Sequence, residues 1–174
     1  CSLMSSALSI RSILKKNYNF GHHSAFIFPE FPLGSCHRAD YLLVGQNSDG
    51  YHFVFVEMES PSGKSVLSDG SYGKPIRAGI NQTQDWASWL QGGFSSLHAE
   101  FMKHSKRDEA LPKEFLFLER SRIHYAVVAG RREEFSEKTR ELRRNTLRES
   151  TIRILHYDNL IDGAKGLIEE NLTY

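Results

Sequence analysis

Two apolar runs separated by a turn constrain this chain most. The first is Arg38-Ala-Asp40-Tyr-Leu-Leu-Val44 and the second is Tyr51-His-Phe-Val-Phe-Val-Glu57-Met-Glu59-Ser-Pro61. Asn47-Ser-Asp-Gly50 between them is turn chemistry, so the pair reads as an antiparallel hairpin. Residues two apart in a strand share a face, which puts Glu57 and Glu59 on the same side. Folding the hairpin brings Asp40, at the start of the first strand, to the end where Glu57 lies. Three carboxylates there repel one another, and a divalent cation relieves that cost. Oxygen-only ligands suit Mg²⁺ or Mn²⁺, ions that activate water against phosphodiesters. Solvated carboxylates at strand ends are the plain alternative.

The remaining pattern gives the expected frame. A helix is predicted over 5–16 and a short strand over 25–28, stopped by Pro29 and Pro32. After the hairpin, 60–73 reads as a Gly/Ser-rich loop. Pro75 opens a helix with Ile76, Ile80, Thr83, Ala87 and Leu90 on one face. Ala78, Gln82, Trp86 and Trp89 form a second apolar face, which predicts a helix sandwiched within the domain or against another subunit. Gly92-Gly93 breaks it, and a second helix follows over 94–106. Residues 107–120 are irregular. Strands are predicted at 123–129 and 151–155, and helices at 133–144 and 157–171, with Asp158 as N-cap. The order α β β β α α β α β α implies a mixed sheet of about five strands with helices on both faces.

The chain has 174 residues, 40% of them hydrophobic and 25% charged, which suits one globular domain over 1–174. Lys and Arg total 22 against 21 Asp and Glu, a net charge of +1, so any nucleic-acid surface must be local. Cys1 and Cys36 have no zinc or disulfide spacing, which predicts a reducing, cytoplasmic setting. No run is long and apolar enough for a membrane span. The chain does not start with Met and is expected to be excised from a longer protein.

The order of elements, with Asp40 opening the second strand, Glu57 on the third and Gln82 on the helix after it, resembles the PD-(D/E)XK nuclease superfamily. A closer resemblance is to the C-terminal nuclease domain of Shedu anti-phage defence proteins. It is carried by Arg38-Ala-Asp40-Tyr, Val56-Glu57-Met-Glu59-Ser-Pro61, the Gln-bearing helix from Ala78 to Trp86, and Ile154-Leu-His-Tyr157-Asp158-Asn-Leu160. The resemblance implies a restriction-endonuclease-like α/β fold and a metal-dependent deoxyribonuclease. Its implied partners are DNA, an N-terminal sensor region and other copies of the chain in a homo-oligomer. Asp40 and Glu57 would be metal ligands, Glu59 a further ligand or general base, and Gln82 a neighbour of the metal. The superfamily's usual third-strand motif is acidic–x–Lys, and here Glu59 stands at the Lys position. Some restriction enzymes of the superfamily carry Glu-x-Glu and remain active. Lys64, five residues on, can supply the missing cation. A degenerate domain that binds nucleic acid or mediates assembly without cutting is the alternative.

Among other candidates, Arg38 fits either a phosphate contact or an ion pair with a site carboxylate, and His37 beside it a supporting group or a phosphate contact. Helical phase does not choose between Gln82 and Gln84, but the family pattern favours Gln82. Ser62-Gly-Lys64-Ser65 lacks the leading Gly and strand-to-helix setting of a phosphate loop. His22-His23 reads as polar loop, and Cys36 lacks an orienting partner for nucleophilic chemistry. The arginines over 131–148 alternate with glutamates and read as a solvated, ion-paired surface.

Overall fold

A computed structural model describes the backbone of residues 9–20, 24–105 and 110–172. The first four residues of the predicted opening helix, His22-His23 and Cys1 lie outside these. So do the end of the 94–106 helix and the start of the 107–120 segment. A first helix, α1, spans 9–18, its last part the π-helical segment Ile13–Tyr18. Three strands follow: β1 Ala25–Leu33, β2 His37–Asn47 and β3 Gly50–Met58. Then come α2 Lys74–Gly93, α3 His98–His104, β4 Ile123–Val128, α4 Glu137–Ser150, β5 Ile152–Leu155 and α5 Tyr157–Leu172. The five strands form one sheet in the order β1-β2-β3-β4-β5. The first three are antiparallel and β3, β4 and β5 are parallel. The expected mixed α/β sheet is therefore present.

Alternation along the strands feeds two cores. Phe53, Phe55, Tyr125 and Val127 pack with Ile76, Trp86 and Leu90 of α2. Val54, Val56, Ala126 and Val128 pack with Ile13 and Leu14 of α1 and Leu160 of α5. Burial on both faces explains why the central strands read as continuous apolar runs. Among the described residues no helix is long and apolar enough to cross a membrane.

Strand β1 runs straight through both prolines that were expected to stop it. It is the edge strand and pairs only with β2, and an edge tolerates a missing N–H. Its side-chain alternation slips at Glu30. Phe28 and Phe31, three apart, both pack on the α2-side core, and Glu30 between them has a φ of 51°. A left-handed residue in mid-strand is strained and turns the chain by one position.

The two-faced reading of α2 is corrected. Its buried stripe is Ile76, Gly79, Thr83, Trp86 and Leu90. Trp86 is fully buried in the domain's own core, while Ala78 is exposed. Gly79, with no side chain to register in an apolar count, shifts the stripe by one residue. Trp89 lies against the backbone at Gly34 and Gly93.

Two other boundaries move. Helix α4 starts at Glu137, where the Ser136 hydroxyl accepts from the Thr139 amide at 3.2 Å. Glu134, expected inside the helix, falls in a 3-10 turn before it, and its carboxylate accepts from the Ser65 and Arg131 amides. Asp158 does not cap α5. It sits inside the first turn and binds Arg131 at 2.6 and 3.0 Å and the Arg132 amide at 2.8 Å. Those contacts hold its pKa far below the usual carboxylate range. The Asn159 side chain accepts from the His156 amide instead.

Candidate active site

The register of the hairpin fixes the first relationship. Tyr41 pairs with Val56, so one step outward Asp40 faces Glu57. Pro29 with Tyr41 and Phe31 with Ala39 bracket Glu30 and Asp40 in the same way. Glu30, Asp40 and Glu57 thus form a row across three adjacent strands, with neighbours about 5 Å apart along the backbone. Glu59 follows two residues after Glu57. The row lies where β3 and β4 end, the position at which open α/β sheets bind ligands.

Asp40 Oδ2 accepts the Met58 amide hydrogen at 2.6 Å, taking the place of a ladder carbonyl as the strands part. Glu59 is held from the other side. Its amide donates to the Val128 carbonyl at 2.8 Å, and its carbonyl accepts from the Tyr157 hydroxyl at 2.6 Å. Glu57 and Glu59 lie on the α2 side, as Val56 and Met58 lie on the other. Gly79 lets α2 come close there. A Cβ on it would stand 2.4 Å from Val127 and 3.4 Å from Glu59 Cγ.

Electrostatics mark the cluster as strained. Burial, then the charges of Asp40, Glu59 and Glu30, push the Glu57 pKa up to about 7. Burial and Asp40 raise Glu59. Asp40 is also raised, by burial and by Glu30, against the opposing effect of the Met58 hydrogen bond. Tyr157 is raised by burial and by the charges of Asp40 and Glu59. Carboxylates that hinder one another's ionisation are a mark of functional sites.

The side chains do not close into a ligand cage. Among the described residues no three His, Cys, Asp or Glu side chains stand together in position to hold a metal ion. The strand ends bring Asp40, Glu57 and Glu59 to one place, but one Asp40 oxygen is committed to Met58 and like charges spread the rest. The all-oxygen donor set and its backbone placement fit a hard divalent ion.

The other sequence candidates fall as follows. Arg38 pairs with Glu30 at 3.5 Å, both well exposed. His37 is half-buried beside it. Gln82 is half-buried, three residues after Gly79, and Gln84 is exposed, so Gln82 is the one that borders the stripe facing the sheet. Lys64 is exposed, and the loop that carries it is tied down at Ser65, whose amide donates to Glu134 at 2.9 Å and whose carbonyl accepts from the Gly73 amide at 2.8 Å. No attraction from Lys64 offsets the raised pKa of Asp40, Glu57 or Glu59. Glu30 escaped the sequence reading because the two prolines ended the strand too early. Its signal was there, as the only charge in the run Ala25–Leu33.

A family model described as Shedu protein SduA, C-terminal, matches residues 6–161. The chain belongs to that family. It is thus a domain of a Shedu defence protein. No curated protein sequence matches it. The matched span takes in all five strands and every carboxylate of the row, so this Shedu domain carries its candidate site within the family's own limits.

Proposed function

We propose that this domain hydrolyses phosphodiester bonds in DNA with the help of Mg²⁺ or Mn²⁺. The reading rests on one observation above all. Asp40 and Glu57 face each other at a sheet end with Glu59 two residues on, and burial together with their mutual repulsion lifts Glu57 to a pKa of about 7. Asp40, Glu57 and Glu59 would hold the ion, which would supply a polarised water and offset charge on the phosphoryl group. Asp40 keeps one oxygen on the Met58 amide and leaves the other available. Glu57 exchanges a proton near neutral pH, which suits a ligand that charges on metal entry or a base. Glu59 takes its position from Val128 and Tyr157. Gln82 borders the site from α2. Restraint by an N-terminal sensor region and by assembly into an oligomer belongs to the same proposal.

The second reading is a nuclease fold that binds without cutting. It is favoured by Glu59 in the position of the usual Lys and by the raised pKa of Asp40, Glu57 and Glu59, which no attraction from Lys64 offsets. Cleavage of linear, circular and single-stranded DNA with Mn²⁺ or Mg²⁺ separates the two, with Mn²⁺ calorimetry alongside. Metal-dependent cutting that Asp40→Asn abolishes supports the enzyme. A protein that neither binds Mn²⁺ nor cuts leaves the binding domain.

A further inference from the structure

The free edge of β5 gathers four arginines around one paired carboxylate. Helix α4 lies along it, and the Arg143 Nε donates to the Ile154 carbonyl at 2.9 Å. The Arg143 guanidinium also lies 5.2 Å from the Phe135 ring centre. Arg153, from β5 itself, lies 4.8 Å from the Tyr18 ring centre, and its Nε is buried with no hydrogen-bond partner. With Arg140, Arg144, Leu147 and Ile154 these two line an open cavity of about 280 Å³. The carboxylate paired to this group is Glu137, at 3.4 Å from Arg140 and 3.6 Å from Arg144. Arg143 and Arg153 have no carboxylate among the described residues.

Several other arginines do have a carboxylate. Arg131 has Asp158, Arg132 has Asp162 and Arg122 has Glu119. The sequence expectation of arginines paired with interleaved glutamates is met by Arg140 and Arg144, which share Glu137, whereas Arg131 and Arg132 pair with aspartates of α5 and Arg143 with no carboxylate among the described residues. Guanidiniums drawn partly out of water without counter-charge are costly. Burial, with the nearby charges of Arg153 and Arg140, pulls the Arg143 pKa below its ordinary value, although Tyr72 acts the other way. A ligand that reverses this cost must be anionic, carry more than one charge and accept from planar donor forks. Phosphate groups meet all three conditions.

We propose that the cavity formed by Arg140, Arg143, Arg144 and Arg153 is a binding site for phosphate groups. They belong either to a nucleic-acid backbone or to a small polyphosphate. The site is two strand spacings from Glu57, about 10 Å across the sheet. It stands apart from the metal reading and is tested without metal.

The test uses two probes in EDTA, a short fluorescein-labelled DNA duplex and inorganic tripolyphosphate. The variant is Arg140→Gln with Arg144→Gln, both exposed, so the Arg143 contact to β5 stays intact. Lys165→Gln, on the exposed side of α5, is the charge-matched control for one arginine. Unchanged thermal unfolding confirms that each variant folds. The double variant should weaken the bound probe about tenfold or more and lower the salt slope by about one per arginine. Duplex binding that responds while tripolyphosphate fails to bind assigns the site to a nucleic-acid backbone. Tripolyphosphate binding that responds assigns it to a small phosphate anion. If neither probe responds to the arginines, or if Lys165→Gln weakens binding as much, the proposal is wrong.

Discussion

Asp40 and Met58 are joined by a 2.6 Å hydrogen bond from the Met58 amide to Asp40 Oδ2. The bond closes the β2–β3 ladder with a side chain in place of a backbone carbonyl. Asp40 therefore holds the strand ends together and presents charge to the site. Substitutions should separate the two roles. Asp40→Asn keeps a carbonyl oxygen for Met58 and should retain stability while losing metal-dependent cleavage. Asp40→Ala should lose cleavage and also about 1 kcal/mol in urea unfolding. Equal stability of the two variants would show that the bond does not matter to the fold.

Glu57 predicts a pH dependence. Its folded pKa of about 7 lies above the ordinary 4.5, so the folded state binds more protons between those values. Its favourable contribution is complete below about pH 4.5 and is lost as the pH rises through 7. Glu57→Gln removes the loss. The variant should be more stable than the parent at pH 8, by ~1–2 kcal/mol after allowance for solvent screening, and equal to it at pH 4. Denaturant unfolding at both pH values checks this. Mn²⁺ binding should release a proton near pH 7 and tighten as the pH rises, which calorimetry in two buffers reads directly.

Glu59 discriminates between an active and a degenerate site. If it is a ligand or base, Glu59→Gln should lower cleavage by about two orders of magnitude. Its backbone bonds to Val128 and Tyr157 are untouched, so stability should not fall. Glu59→Lys restores the usual superfamily pattern, and activity equal to or above the parent would mean that Glu59 merely occupies that position. Lys64→Ala should leave cleavage unchanged, because no attraction from Lys64 acts on Asp40, Glu57 or Glu59.

Gly79 sets how closely α2 approaches the sheet. A Cβ there would stand 2.4 Å from Val127 Cγ1, an overlap that the helical preference of Ala, about 1 kcal/mol, does not cover. Gly79→Ala should lower the melting temperature. Val127→Ala in the same chain should recover part of the loss. A Gly79→Ala protein as stable as the parent would show that the helix can lift freely off the site.

The strand and helix order was legible because each element announces itself locally. Buried central strands read as unbroken apolar runs, and Pro75 marks the start of α2. The pairing of Asp40 with Glu57 was also legible, since a hairpin with a recognisable turn fixes its own register. What failed were inferences that needed a neighbour. Pro29 and Pro32 were read as stops, although a strand with one partner need not donate at every N–H. Trp86 was assigned to an outer face because Gly79 has no side chain to count.

Periodicity and turn chemistry were enough to give the sheet, its order and the acidic residues at the end of β3. Only the tertiary structure decided which charges have partners. It set Glu30 in line with Asp40, tied the loop of Lys64 to Glu134, gave Arg131 to Asp158 and left Arg143 and Arg153 with no carboxylate among the described residues. Charge pairing depends on distances between residues far apart in the chain, and on burial that sets how strongly they act. Neither is encoded in local spacing.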